Sequence, residues 1–109
     1  MPILCATNFS DEALTATTVA AEFARRMGDE LWLVFVLPEN TAKAFGEAVL
    51  STAETTLQGE AARVRKLGAT VRPALLKGKL HVELPRFAAL NQVQLVIAGG
   101  SHKEPSLLG

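Results

Sequence analysis

The chain has 109 residues, and its 11 Lys and Arg balance 11 Asp and Glu, so no charge surplus draws it to nucleic acid or to an anionic membrane. A hydrophobic share of 49% with 20% charged residues lies far from disordered composition and suits one domain with a core of its own. No apolar run approaches a membrane span, and Met1-Pro2-Ile3 lacks the basic start and long apolar core of a signal peptide, which makes the cytoplasm the expected location.

Ile3-Leu4-Cys5-Ala6-Thr7 is apolar without alternation, the pattern of a strand covered on both faces. Ser10 is placed to cap a helix whose first turn holds Asp11 and Glu12, both favourable at the positive end of the dipole. Ala13, Ala16, Ala20, Phe23, Ala24 and Met27 then recur at helical spacing and predict the inward face, with Gly28 as a left-handed cap. Leu31 to Leu37 is the most apolar run and predicts an inner strand of a parallel sheet, ended by Pro38.

A long helical pattern follows from about Thr41 to Leu67, with Phe45, Val49, Ala53, Leu57, Ala61 and Val64 inward. Its first part, Glu39 to Gly46, reads equally as a loop over the sheet edge. Thr70 to Lys77 predicts a third strand, and Pro73 inside it predicts a sheet edge, because proline cannot donate to a ladder. Leu80 to Asn91 reads as a short helix with Pro85 in its first turn and Leu84, Phe87, Ala88 and Leu90 inward. Val93 to Ala98 is the fourth strand. The βαβαβαβ order predicts an α/β fold, a doubly wound open parallel sheet of the Rossmann-like type in a single domain spanning 1–109.

Candidate chemistry gathers after the fourth strand, where Gly99-Gly100-Ser101-His102-Lys103 ends an apolar run. Glycines there serve either a strand-ending turn or a phosphate cradle, since ligands of open parallel sheets sit beyond the carboxyl ends of the strands. Lys77 and Lys103 both follow strand ends and could add point charges to a phosphate. His102 has no acid positioned by sequence to orient it, and Ser101 lacks a nucleophile elbow, which argues against catalysis. Cys5, the single cysteine, reads as a buried thiol, and with His81 and His102 it makes no metal-ligand spacing. Trp32 and Phe35 read as core.

Ile3 to Ser10, the alanine-rich helix ending Ala-Arg-Arg-Met-Gly28, the run Glu30 to Pro38, and Leu95-Val-Ile-Ala-Gly-Gly-Ser-His102 together resemble the universal stress protein family, over essentially the whole chain. The resemblance implies strand order 3-2-1-4 with a fifth strand after a last helix. The chain stops where those should begin, so it is expected to be C-terminally incomplete or completed by a partner. Members that bind ATP carry an acidic residue after the first strand and a glycine loop G-x2-G-x9-G-[ST] after the fourth. By that resemblance Asn8, beside Thr7, stands at the acid's position, and Val36 stands where the second strand contacts adenine. Gly99 or Gly100 stands for the first glycine. The second glycine falls on His102 or Lys103, and Gly109 arrives early for the third. Asn8 has a reading of its own, an Asx turn at a strand end whose amide could still bond a ribose hydroxyl.

The function expected from these readings is a stress-response or signalling protein that binds an adenine nucleotide, ATP or AMP, with Mg²⁺ only alongside ATP. The alternatives are a family member without nucleotide that works as a homodimeric interaction protein, and a hydrolase or nucleotidyl-transfer enzyme of related fold.

Overall fold

The computed structural model describes residues 1–99. Its elements are β1 (Ile3–Ala6), α1 (Asp11–Met27), β2 (Leu31–Leu37), α2 (Glu39–Arg65), β3 (Val71–Lys77), α3 (Leu80–Leu90) and β4 (Leu95–Ala98). The strands pair in parallel in the order β3-β2-β1-β4, the expected doubly wound arrangement. β3 is an edge, as Pro73 requires: a residue without an N–H is tolerated where a strand has only one neighbour.

Helix α1 forms as its caps dictate. The Ser10 hydroxyl accepts the Ala13 N–H at 3.2 Å, and Gly28 closes the helix at φ 73°. Its buried stripe is Ala13, Thr17, Ala20, Ala21 and Ala24. The expected inward positions Phe23 and Met27 lie outside that stripe, 39% and 53% exposed. Small side chains let the helix sit close on the sheet, and that closeness pushes the two large ones to its flank.

Gly46 (φ 66°, ψ −144°) breaks α2 into two helical pieces. The second buries Ala53, Leu57, Ala61 and Val64 as expected, whereas Phe45 ahead of the break is 68% exposed and outside the core. Glu60 on the same helix is buried, and Arg63 bonds both its oxygens at 2.8 Å while reaching the Leu14 carbonyl of α1 at 3.3 Å. The carboxylate is therefore paired where an unpaired one would be costly. In α3, Pro85 is the sixth residue rather than a first-turn residue, so the helix gives up one interior hydrogen bond there.

The chain winds from β1 to β2 to β3 and then crosses back to β4. Right-handed connections therefore put α1 and α2 on one face and α3 on the other. The two faces are unequal. The first carries twelve buried residues, among them Ile3, Cys5, Leu33, Leu57 and Val64; the second carries three, Leu4, Val34 and Val36, with Trp32, Leu84 and Phe87 half-buried around them. Stability should follow this asymmetry. In urea unfolding monitored by Trp32 fluorescence, Leu57→Ala should lower stability by about 3 kcal/mol through a cavity in the first face. Leu90→Ala, at a side chain 76% exposed on α3, should change stability by less than about 0.5 kcal/mol.

Candidate functional site

β1 and β2 end at different heights. The last rung between them is Ala6 with Val34, and β2 continues through Phe35, Val36 and Leu37 beside β3. The sheet therefore has a step on its carboxyl edge about 10 Å high, with the ends of β1 and β4 as its floor and β2 as its wall.

Main-chain direction along that wall follows from the hydrogen bonds. Leu31 donates to Thr70 and Leu37 accepts from Gly78, so the odd residues of β2 face β3. Thr7 donates to Val34 at 2.8 Å, so the even residues face β1. Val36 lies two residues above Val34 and turns its N–H and C=O toward β1, beyond the last rung. Among the described residues neither group has a backbone partner. Val36 as a residue is only 9% exposed, and main-chain groups left without a protein partner at a strand edge are completed by water or a ligand.

The turn after β1 keeps the step open. Phe9 adopts φ 65°, unusual for a bulky residue, and two contacts hold it there. Its N–H donates to the Thr7 hydroxyl at 3.0 Å, and its ring lies 4.9 Å from that of Phe35. Asn8 makes the Asx turn, its Oδ1 accepting the Ser10 N–H at 3.0 Å. Thr7 is buried and Asn8 exposed. Each polar side chain from Thr7 to Ser10 thus spends an oxygen on the turn or on the helix cap.

Gly99 at the end of β4 borders the step for a packing reason. A Cβ there would lie 2.5 Å from the Ala16 Cβ and 3.1 Å from the Glu12 carbonyl oxygen, so β4 ends pressed against α1. That contact accounts for the glycine without a ligand. Asp11 and Glu12 in the first turn of α1 suit the helix dipole and oppose an anion. Gly100, Ser101, His102, Lys103 and Gly109 lie outside the described residues. Lys77 is exposed at the end of β3, across β2 from β1.

The structure thus brings together Thr7, Asn8, Val36 and Gly99. Sequence reasoning missed Phe9 and Ala16; a phenylalanine between Asn8 and the cap carries no sign of a left-handed backbone, and Ala16 looks like any inward alanine. Cys5 lies beneath the floor with no exposed surface, 3.7 Å from the Thr17 hydroxyl. Burial pushes its thiol above the ordinary value of 9.0, against a smaller opposite pull from Thr17. Reactivity is suppressed accordingly. Among the described residues no three His, Cys, Asp or Glu gather as a metal site, and no helix is long and apolar enough to cross a membrane.

At the other end of the strands a depression of about 230 Å³ is lined by Arg25, Asp29, Glu30, Gly68 and Thr70. Its charges are engaged: Arg25 with Glu22 at 2.8 Å, Asp29 with the Met1 ammonium at 3.2 Å and Glu30 with Arg72 at 3.3 Å. The step on the carboxyl edge is the better candidate.

The packing role of Gly99 has a direct check. Gly99→Ala should cost about 1–3 kcal/mol by overpacking, and adding Ala16→Gly should recover most of the midpoint lost in thermal unfolding; independent, additive losses would refute the contact.

Comparison with known proteins places this geometry. No curated protein matches the chain. Among solved structures, a universal stress protein from Archaeoglobus fulgidus superposes with a TM-score of 0.79 at 27% identity, over 90% of this chain and 74% of that one. The universal stress protein from Archaeoglobus fulgidus in complex with dAMP gives 0.63 at 24% identity, over 92% and 98%. A universal stress protein in complex with cAMP gives 0.76 at 18% identity, over 89% and 74%. The model of the universal stress protein family matches residues 1–109, and the chain belongs to that family.

Proposed function

We propose that this protein is a stress-response or signalling protein of the cytoplasm that binds an adenine nucleotide in the step above β1. The observation that carries the reading is that the N–H and C=O of Val36 have no backbone partner among the described residues. An adenine edge offers a ring nitrogen that accepts and an exocyclic amino group that donates, complementary to that pair. Two solved relatives are complexes with dAMP and cAMP, which share the adenine base. Their chemistry supports an adenosine monophosphate as the ligand here. ATP is the larger alternative, and Mg²⁺ would enter only with it.

With the base edge on β2, strands spaced about 4.8 Å apart set the sugar over the end of β1 and direct the phosphate toward β4 and the residues after Gly99. The protein's part is recognition and orientation. Titration calorimetry tests this. AMP should bind saturably in the micromolar range, and inosine monophosphate, whose base edge has donor and acceptor exchanged, should bind at least about tenfold more weakly. Val36→Pro removes the free N–H without taking a rung from the ladder, so AMP affinity should fall by a similar factor while circular dichroism stays unchanged. No heat and no thermal shift at millimolar AMP would sink the reading.

A second reading has its own observation. β4 pairs only with β1 among the described strands, and its Leu95 and Val96 are 38% and 45% exposed. Such an edge suits pairing with a second copy, making the protein a homodimeric interaction module. Sedimentation should then show a dimer that Val96→Arg converts to monomer, and a monomeric wild type would exclude it.

A further inference from the structure

Helix α1 carries an apolar ridge that the core does not use. Val19, Phe23 and Met27 recur at four-residue spacing and all three are exposed, Val19 at 58%. The ridge lies on the β4 side of the helix. On the opposite side Arg63 of α2 donates to the Leu14 carbonyl and the Thr18 hydroxyl, whereas Ala16, in line with the ridge, meets the end of β4 at Gly99. Leu95 and Ile97 of β4 share that sheet face, since they pair with Ile3 and Cys5 of the first core. Among the described residues no strand covers the far edge of β4.

The homodimer reading given above, on which this rests, brings the ridge to a two-fold axis. Antiparallel pairing of β4 with its copy sets that axis perpendicular to the sheet, so both copies keep α1 on the same face. Helix α1 packs over β1 and β4. Strands spaced about 4.8 Å apart then put the two α1 axes about 10 Å apart, the ordinary spacing of packed helices. The heights agree as well. From Ala16, level with Gly99, seven residues of helix descend about 10 Å to Phe23, which is level with Val96, three strand residues below Gly99. An axis at that level sets Val96 against Val96 and Leu95 against Ile97 across the strands. Across the helices it sets Phe23 against Phe23 and Val19 against Met27.

Glu22 and Arg26 border the ridge on its outer side, 2.6 Å apart within one helix and open to solvent. An antiparallel helix pair brings like edges together in reverse order, so Glu22 of each copy comes opposite Arg26 of the other. The border is complementary to itself, which selects a second copy over an unrelated partner. We propose that α1 is half of a homodimer interface, in which the Val19, Phe23 and Met27 ridge packs on its own copy above a β4 pair, flanked by reciprocal Glu22–Arg26 pairs.

Sedimentation equilibrium over a concentration series tests this, with circular dichroism as the control on folding. Phe23→Lys should weaken dimerisation by at least about tenfold, because it removes the central aromatic and sets two charges face to face. A second test leaves the ridge intact. Glu22→Arg and Arg26→Glu should each weaken self-association by setting like charges across the axis. Their equimolar mixture should form heterodimers at least about fivefold tighter than either homodimer. Pairing within a helix cannot produce that gain, because positions 22 and 26 repel within each variant. Should Phe23→Lys fail to fold, the mixture decides alone. A wild-type dimer that Val96→Arg dissociates but that Phe23→Lys leaves unchanged, or a mixture that gains nothing, overturns the inference and leaves the β4 pairing standing. A wild type that stays monomeric overturns the homodimer reading and this inference together.

Discussion

The turn from Thr7 to Ser10 ends β1 three residues below the top of β2, and that difference in height governs the carboxyl edge of the molecule. A strand that continued upward would satisfy Val36 and leave no step. The chain instead bends at Phe9 into a left-handed conformation that a phenylalanine adopts only under constraint. The constraint is supplied from both sides: the Thr7 hydroxyl takes the Phe9 N–H, and the Phe35 ring takes the Phe9 ring. Phe35 belongs to the part of β2 that rises above β1, so the wall of the step also holds its floor in place.

The same turn fixes the start of α1. Ser10 is at once the residue whose N–H closes the Asx turn and the residue whose hydroxyl caps the helix. The position of α1 in turn decides what β4 can end with. Ala16 comes so close to the end of β4 that only glycine fits at position 99. A chain of contacts therefore runs from Phe35 through Phe9 and Ser10 to Ala16 and Gly99. A glycine that looks like a ligand-binding residue has its cause in helix packing.

Much of this architecture was legible in the residues. Uninterrupted apolar runs in β1 and β2, the Ser10 and Gly28 caps and Pro73 in β3 each carry a local physical meaning, and together they give the parallel sheet and its edge. What was not legible depends on distances between elements. Phe23 and Met27 fit the period of α1, but the inward stripe runs through Thr17 and Ala21 because the helix lies too close for large side chains. Pro85 tolerates the second turn of α3 because that helix is only half-buried at best. For the site, resemblance pointed to Val36 and Asn8, yet no side-chain pattern could show the reason at Val36. The groups left without a backbone partner there, among the described residues, are main-chain atoms, placed by parity and register, and any residue with an N–H would present them.

That origin leaves the shape of the step to the side chains. The polar side chains bordering the step, Thr7, Asn8 and Ser10, hold the turn and the cap with their oxygens. A general base or nucleophile needs a side chain free to exchange a proton. Cys5, the nearest thiol below the floor, is shielded by the first face of the sheet and held protonated by burial. The side-chain oxygens around the step therefore hold its shape, and the N–H and C=O of Val36 are left without a backbone partner among the described residues. A step built in this way presents a donor and an acceptor along a strand edge, set by the register of β2 against β1.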